Sequence, residues 1–456
     1  LKCQFFLSSM QPPDGTVASE FPHLGGRCLS AARDFEVGET IFEEVPLCTT
    51  TSCDGDAAME ATRALAADKR ELFDTMHFDT SMAALADRTD EERRILSAWD
   101  LNAYSFGDEG RAMLMWIARI PHGCIPNCCI VVQDGRGKVV AATKICEGDV
   151  LMSWYPEQEL LFWASTEARR LVLSKERRFT CGCQRCEGPD VCRELPCGCS
   201  ADAYLRIAGP DKSWVCGSCK VEVSSSDLKR QLKREKKLTK TMLTVLEALS
   251  DGEMPADPEV LQQLSDEAEE SLGGRHWIYA ISLFAMHGAF RQAEPSMSLA
   301  LGLAFLDWIR DRVVVGRICG GRFPPGYILK SVYDVCTWCL GMLAEAKSSS
   351  GADMRLLTGR LMQLAVDLSN EATWAAEPSR LAEYKKVVEQ NSARRLTCFR
   401  PGCEEAAASE CRCGTCGFAG YCCEDCQAQD RTSHEVVCCE PLTPFIDMLD
   451  PLNLKM

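Results

Sequence analysis

The sequence predicts a multidomain α+β protein, and three observations support this fold class. The first 190 residues contain short segments in which apolar and polar residues alternate, interrupted by one helical stretch. From residue 226 onward, apolar residues recur at helical spacing over long segments. Most of the 29 cysteines lie in two dense groups, one from Cys181 to Cys219 and one from Cys398 to Cys438. A chain of 456 residues is long enough for about two to four domains.

The composition is that of an ordinary globular protein. Hydrophobic residues make up 46% of the chain and charged residues 25%, and no uninterrupted apolar run is long enough to cross a bilayer, so no membrane span is expected. The formal net charge of -16 argues against broad binding to phosphates, and no specific nucleic acid binding is expected. The cysteine spacings C-x-C, C-x2-C and C-x3-C indicate metal sites rather than disulfides. We therefore expect a reducing compartment, the nucleus or the cytoplasm.

Short strands and one helical insert are predicted for the first part of the chain. Residues 25–47 alternate around a turn at residues 36–39, which predicts a β-hairpin or meander. Residues 51–97 predict the helical insert, with a helix start at Thr89 and Asp90. The later elements predicted here are a hairpin from 129–132 to 138–142, a strand at 150–155 and a helix at 157–173.

Residues 226–391 predict an all-α array. A long helix is expected from about Leu228 to Leu249, and four more are expected at 278–290, 299–309, 328–343 and 354–368. Glycine and proline residues separate these helices. The arrangement is similar to tetratricopeptide repeats, although the sequence has no exact repeat period.

The C-terminal cysteine group predicts two zinc ions. It contains four ligand pairs, Cys398 with Cys403, Cys413 with Cys416, Cys422 with Cys426, and His434 with Cys438. Eight ligands in four pairs fit two tetrahedral ions. The alternatives are metal-free buried cysteines and a RING finger, whose histidine would lie in the middle pairs rather than in a final His-x3-Cys pair.

The earlier cysteine group divides into two sites. Cys181, Cys183 and Cys186 supply three thiolates and need a fourth ligand from elsewhere in the chain. A small zinc ribbon at residues 191–225 would hold a second ion through Cys197, Cys199, Cys216 and Cys219. Cys192 is an alternative to Cys197 or Cys199 in this ribbon.

Five segments together resemble the SET and MYND domain family of protein lysine methyltransferases. They are GRCLSAARDFEVGETIF from Gly26, DLNAYSF from Asp100, PHGCIPNCCI from Pro121, EGDVLMSWY from Glu147 and RFTCGCQRC from Arg178. The resemblance covers most of the chain and implies a SET domain at 1–190, with a post-SET zinc cluster at 179–186. It also implies a MYND finger at 392–440, followed by a tail at 441–456. Here the finger follows the helical array, whereas in the best-known members it interrupts the SET domain.

The resemblance implies which cysteines share an ion. The family pattern NHSCxPN corresponds to residues 121–127, so Cys124 would be the fourth ligand beside Cys181, Cys183 and Cys186. The cross-braced finger would give one ion to Cys398, Cys403, Cys422 and Cys426, and the other to Cys413, Cys416, His434 and Cys438. With the ribbon, this makes about four zinc ions.

The resemblance also implies an S-adenosylmethionine site. Tyr155 corresponds to the catalytic tyrosine that ends the family's SY motif; the cofactor-binding residues would be Gly26, Arg27, Asn102, Pro121, His122 and Phe179. By residue type alone, a core aromatic at a strand end is the more common role for Tyr155, and His122 could equally be a hydrogen-bonded structural histidine.

Two residues depart from the family pattern at the cofactor site. Cys28 replaces a glycine that permits close backbone approach to a ligand, and Pro121 replaces an asparagine that offers side-chain and backbone donors. The first hypothesis is a methyltransferase acting on lysine in histone tails or other proteins. The second is a catalytically impaired, SET-derived interaction scaffold. In either case the finger would bind proline-containing peptides or other proteins.

Overall fold

The structure, a computed structural model, describes most of the chain between residues 11 and 345. The gaps in this range are 22–23, 25, 80–85, 107–109, 201–202, 209–212, 252–256, 315–317 and 319–323. Beyond it, the described residues are 361, 364–365, 368, 380–386, 398, 400, 403, 405, 411 and 420–437. They form two compact units, one from Leu1–Pro156 and Arg170–Glu187, the other from Glu157–Arg169, Gly188–Thr373 and Glu377–Met456.

The first unit is built from short antiparallel strands. These are β1 (Thr16–Phe21), β2 (Gly26–Ala31), β3 (Thr40–Glu44), β4 (Cys48–Thr49), β5 (Ala103–Phe106), β6 (Gly110–Met113), β7 (Cys128–Gln133) and β8 (Arg136–Ala141). They pair as β1-β2, β3-β8-β7 and β4-β6-β5. The predicted hairpin of β7 and β8 is confirmed, with Asp134 and Gly135 at positive φ in its turn.

The predicted hairpin at residues 25–47 is wrong in its pairing. Both strands form, but β2 pairs with β1 and β3 pairs with β8. The apolar alternation identified each strand because side chains alternate between faces. Alternation carries no information on the partner, and backbone hydrogen bonds to distant strands replaced the local ones.

The described part of the helical insert contains three helices, which are α1 (Gly55–Arg63), α2 (Ala67–Phe73) and α3 (Asp90–Asn102). The predicted start of α3 is confirmed, because Thr89 forms a capping box with Glu92. The helix runs to Asn102, five residues past the predicted end of the insert. Trp99 donates a hydrogen bond from Nε1 to the hydroxyl of Thr62 at 2.8 Å and thereby joins α3 to α1.

Residues 150–155 were predicted as a strand but form only isolated bridges. The segment runs between β2 and the stretch that begins at Pro121. On one side the amide of Leu151 donates to the carbonyl of Leu29, and on the other Ser153 bonds to Pro121 and Gly123. Asn127 also bonds to the backbone of this segment, through both atoms of its side-chain amide. The segment is thus held between two distant parts of the chain, which fixes the position of Tyr155.

The predicted helix at 157–173 is divided. A 3-10 turn covers Glu159–Trp163, and α4 covers Thr166–Arg177. Near the end of the first unit lies the short helix α5 (Gln184–Glu187).

The second unit contains a four-stranded antiparallel sheet at the position of the predicted ribbon. Its strands are β9 (Leu195–Pro196), β10 (Tyr204–Ala208), β11 (Ser213–Cys216) and β12 (Glu222–Val223), in the order β12-β11-β10-β9. The helices that follow are α6 (Lys229–Ser250), α7 (Pro258–Leu272), α8 (Trp277–Phe290), α9 (Pro295–Val314) and α10 (Lys330–Glu345). The predicted helix at 354–368 lies mostly outside the described residues.

A buried carboxylate joins the small sheet to the helices. Glu194 is fully buried and forms ion pairs with Arg206, with Arg275 at 2.6 Å and with Arg312 at 2.8 Å. Burial opposes ionisation of Glu194, but Arg312 and the other guanidinium groups lower its pKa below the ordinary value. The sheet and the array therefore share one charged core.

The last described helix is α11 (Glu424–Val437). Of the predicted finger ligands, Cys413, Cys416 and Cys438 lie outside the described residues, as does the side chain of His434. No described helix is long and apolar enough to cross a membrane.

Candidate functional site

A cavity of about 600 Å³ in the first unit contains nearly all of the predicted cofactor residues. Its lining includes the predicted residues Arg27, Asn102, Pro121, His122, Tyr155 and Phe179, together with Cys28. Gly26 is not part of the lining. Residues from separate sequence motifs therefore surround one cavity.

The start of β2 forms one wall. Gly26 has φ +126°, a conformation that side chains rarely adopt, so glycine is required for the backbone path. Cys28 is buried and its Sγ lies 3.6 Å from the carbonyl oxygen of Gly26. Burial, assisted by the charge of Glu20, raises the pKa of the Cys28 thiol to about 11. The side chain is therefore a neutral group on the cavity wall and has little nucleophilic character at neutral pH.

Asn102 lies at the end of α3 and is held by the protein itself. Its Nδ2 atom donates to the carbonyl oxygens of His77, at 2.8 Å, and Ala98, at 2.7 Å. Both amide hydrogens thus have protein acceptors. A ligand in the cavity would meet this side chain through its carbonyl oxygen, which accepts hydrogen bonds.

Both ring nitrogens of His122 are occupied by protein groups. The backbone amide of Tyr155 donates to Nδ1 at 3.2 Å, so the ring proton belongs on Nε2. Nε2 lies 3.2 Å from the Sγ of Cys124 and donates toward it. The ring is therefore a neutral structural bridge between Tyr155 and a predicted metal ligand, which favours the structural reading of His122 for its side chain.

Tyr155 is fixed at the cavity wall by its own hydroxyl group. The phenol Oη donates to the carbonyl oxygen of Ile120 at 2.6 Å, and the ring lies edge-on to Phe179 with centroids 6.3 Å apart. Burial is the main reason that the pKa of Tyr155 is well above its usual range, although the charge of Arg177 opposes this shift. The phenol stays neutral, and its oxygen keeps lone pairs that can accept a hydrogen bond.

Four arginines line the cavity, and of these only Arg27 was predicted from the sequence. Its described lining contains Arg27, Arg119, Arg177 and Arg178, and no aspartate or glutamate. Burial lowers the pKa of Arg119 to about 10, so this guanidinium is still charged at neutral pH. Arg177 and Arg178 directly precede the predicted Phe179 and could have been noticed there. Arg119 belongs to none of the sequence motifs.

Residues of the helical insert form another wall that the sequence did not predict. Thr75, Met76, His77 and Phe78 follow α2 and line the cavity. Thr75 accepts a hydrogen bond from Arg119 at 2.9 Å, which joins this wall to the 3-10 turn Ile117–Arg119. No motif marks residues 75–78, because their position depends on how the insert packs.

The structure brings Cys124 together with Cys181, Cys183 and Cys186, and their Sγ atoms all lie within 4.8 Å of one another. The Sγ atom of Cys124 lies 3.5 Å from that of Cys186 and 4.0 Å from that of Cys181. Zinc bound to four thiolates at about 2.3 Å would place neighbouring sulfur atoms about 3.8 Å apart. The donor nitrogen of His122 also faces a sulfur that can accept. The cluster fits a zinc ion.

Two more cysteine clusters have the same geometry. The Sγ atoms of Cys197, Cys199, Cys216 and Cys219 converge in the ribbon, and those of Cys398, Cys403, Cys422 and Cys426 converge in the C-terminal segment. In the ribbon, the Sγ atoms of Cys197 and Cys219 lie 3.9 Å apart and those of Cys199 and Cys216 lie 3.7 Å apart. In the C-terminal segment, the Sγ atom of Cys422 lies 3.7 Å from that of Cys403 and 3.4 Å from that of Cys426. Cys192 is not part of the ribbon cluster; it is fully buried, and its carbonyl oxygen accepts from the amide of Trp277.

Comparison with known proteins identifies the first unit. Residues 26–156 match the SET domain family. This stretch is therefore similar to SET domains. It contains β2 to β8, the helical insert and Tyr155, and it ends before the region of the predicted finger.

The SET domain resemblance is also supported by a relative. The SET domain-containing protein SmydA-8, isoform B, of Drosophila melanogaster is 32% identical over 120 residues. The match covers 24% of this chain and spans 25% of the relative's length. SET domains belong in general to lysine methyltransferases, and the sequence motifs had indicated this family.

Proposed function

We propose that the chain is an S-adenosylmethionine-dependent protein lysine N-methyltransferase. The observation that carries the proposal is the cavity of about 600 Å³ in the first unit, which stays open with Cys28 and Pro121 in place. Ligand pockets of proteins are commonly about 300 to 1,000 Å³, so the space suits a cofactor of this size. Cys28 and Pro121, the two departures from the family pattern, therefore do not fill the cavity.

The lining residues fit the parts of this cofactor. When bound, S-adenosylmethionine supplies an electrophilic methyl group on a sulfonium centre. The guanidinium groups of Arg27 and Arg119 offer partners for its carboxylate, and the exposed face of Phe179 suits the adenine ring. The side-chain oxygen of Asn102 can accept from its amino group.

The cavity lining also favours the neutral form of lysine, which is the nucleophile. A lysine must lose its proton before it can attack, and nearby positive charges disfavour the ammonium form. The four arginines would lower the pKa of a lysine that enters the cavity, whereas the metal-bound thiolates of Cys181 and Cys183 in the lining would act in the opposite direction. The neutral Tyr155, fixed through Ile120, then orients the amine by accepting one of its hydrogens. In this proposal Tyr155 positions the nucleophile and does not act as a strong base.

Calorimetric titration of zinc-loaded protein with S-adenosylmethionine tests the proposal. We expect saturable binding, and transfer of labelled methyl groups to lysine in histone or other protein substrates. Tyr155→Phe should abolish methylation or change the number of methyl groups added. Tyr104→Phe is the matched control, because Tyr104, like Tyr155, is half-buried in the first unit but does not line the cavity. Absence of detectable cofactor binding would refute the proposal.

A catalytically impaired interaction scaffold is the second candidate. Cys28 and Pro121 favour it, because one adds a side chain at the cavity wall and the other removes two donors. If these residues disabled the site, Cys28→Gly combined with Pro121→Asn should create cofactor binding that the natural chain lacks. Strong binding by the natural chain, unchanged in the double variant, would exclude this candidate.

We further propose that the cysteine clusters hold zinc and that the C-terminal segment is a MYND-type finger. The convergence of Cys398, Cys403, Cys422 and Cys426 supports one of its two ions. Such a finger would bind proline-containing peptides or other proteins, in the nucleus or cytoplasm. Metal analysis should give about four zinc ions per chain under this proposal. A value near two would exclude it.

A further inference from the structure

Helix α6 presents an unusually basic surface for an acidic protein. Residues 229–240 contain seven lysine and arginine side chains, all of them exposed. The chain as a whole has a formal net charge of -16. These exposed cations are Lys229, Arg230, Lys233, Arg234, Lys236, Lys237 and Lys240.

Four of the cations form a straight line along the helix. Lys229, Lys233, Lys236 and Lys240 follow the i, i+4, i+7, i+11 spacing that keeps side chains on one face of an α-helix. We call these four residues the lysine stripe. At 1.5 Å per residue the stripe is about 17 Å long.

The opposite face of α6 is buried in the second unit. Its buried side chains are Glu235, Leu238, Met242, Val245 and Leu246. Glu235 is the only acidic residue in 229–240 and pairs with Arg193 at 2.6 Å and with His276 at 3.1 Å. The acidic group is thus turned away from the stripe, and its charge is balanced inside the unit.

Two side chains of α7, one of them acidic, contact cations at the edge of the basic surface. Lys237 lies 3.6 Å from Glu267 of α7, and Arg234 donates to the hydroxyl of Ser271. Both are outside the lysine stripe. No large apolar residue of 229–240 is exposed in the described structure. The surface therefore offers charge, without apolar or aromatic contacts.

We propose that the lysine stripe binds the phosphate backbone of double-stranded DNA without reading its sequence. Lysine contacts to phosphates give this kind of binding through release of counterions. The net negative charge of the chain does not forbid it, because charges more than about 8 Å away are screened at physiological ionic strength. The stripe supplies the concentrated basic surface that the overall composition lacks.

Because the basic surface has no apolar anchors, it suits double-stranded DNA better than other acidic partners. Protein partners usually need aromatic or apolar anchors in the centre of an interface, and single strands need aromatic rings on which bases stack. Helices that bind membrane surfaces insert an apolar face, and the apolar face of α6 is already buried. A duplex needs only aligned positive charges.

Fluorescence anisotropy with a labelled 20-base-pair duplex and the full zinc-loaded chain tests the proposal. Four phosphate contacts predict a slope of about -3.6 for log affinity against log salt, and therefore about 50-fold weaker binding at 150 mM than at 50 mM salt. The stripe variant replaces each of its four lysines by glutamine. The control variant makes the same replacement at four exposed cations elsewhere, Lys69, Arg88, Arg136 and Lys386.

The stripe variant should bind the duplex at least about tenfold more weakly at 50 mM salt and should lose most of the salt slope, whereas the control variant should keep both. Unfolding temperatures of both variants should match that of the natural chain, since all substituted side chains are exposed. Three results would overturn the proposal. They are equal duplex binding by the natural chain and the stripe variant, no duplex binding at 50 mM salt, and tighter stripe-dependent binding to a single strand, polyglutamate or phosphatidylserine vesicles.

Discussion

Replacing His122 by phenylalanine should weaken zinc binding at the cluster of Cys124, Cys181, Cys183 and Cys186. The substitution keeps a ring in the space beside Trp154 and Tyr155, whose ring centroids lie 5.3 and 5.5 Å from that of His122. It removes the acceptor for the amide of Tyr155 and the donor to the Sγ of Cys124, both at 3.2 Å.

The size of the effect follows from these two hydrogen bonds. A bond to a neutral partner contributes about 1 kcal/mol, and a bond to a charged partner about 1.5 to 3 kcal/mol. The bond to Cys124 is of the second kind when the sulfur is a metal-bound thiolate. Its loss predicts zinc affinity about 10- to 100-fold lower at this cluster, which is the usual effect of removing such a supporting contact. Loss of the hydrogen bond from the Tyr155 amide should lower the free energy of unfolding by about 1 kcal/mol more.

Competition with a chromophoric chelator at pH 7.5 measures the affinity. One zinc ion should leave the His122→Phe protein at lower chelator concentration, while the ions of the ribbon and the C-terminal cluster are retained. His77→Phe is the matched control, because His77 also lines the cavity and makes no described side-chain contact with a cysteine cluster. Equal zinc retention by His122→Phe and the natural chain would show that the histidine does not support the metal ligand.

Three further predictions concern stability. Glu194→Gln should destabilise the second unit by about 3 to 5 kcal/mol in urea unfolding, because it leaves the buried Arg312 with Asp311 as its remaining carboxylate partner; a change below 1 kcal/mol would contradict this. Burial opposes ionisation of Glu235, but hydrogen bonds lower its pKa to about 2, below the ordinary value. Ionised Glu235 should therefore contribute about 3 kcal/mol to the free energy of unfolding above pH 5, and this contribution should be lost as the pH falls toward 2. Acid unfolding of Glu235→Gln should lack this pH-dependent loss. Gly26→Ala should lower stability by about 1 to 2 kcal/mol, measured by thermal unfolding, because its φ of +126° strains any side chain; an unchanged unfolding temperature would argue against a strained backbone there.

The sequence predicted those parts of the fold that depend on local pattern. The turn residues Asp134 and Gly135 indicated the hairpin of β7 and β8. Thr89 and Asp90 indicated the start of α3, where the structure has a capping box. The exchange of partners by β2 and β3 could not be predicted, because strand pairing is decided by contacts between distant residues. Residues 150–155 look like a strand in sequence, yet they form only isolated bridges in the described structure.

The candidate site shows the same division. Motifs indicated Tyr155, Asn102, His122 and Phe179, and the structure places all four around one cavity. The wall at residues 75–78 has no motif, because it belongs to an insert whose packing positions it.

The charge of the cavity changes the meaning of the two departures from the family pattern. In sequence, Cys28 and Pro121 appear only as losses for cofactor binding. In the structure, four arginines line the same cavity without a carboxylate. Under the proposed function they would disfavour the sulfonium of S-adenosylmethionine but offer partners for its carboxylate, and they would favour a neutral lysine. S-adenosylhomocysteine keeps that carboxylate and lacks the sulfonium charge. If this charge balance governs binding, the demethylated product should bind more tightly than the cofactor, and calorimetry with both ligands compares them directly. Tighter binding of the cofactor would mean that the arginines are shielded from the sulfonium.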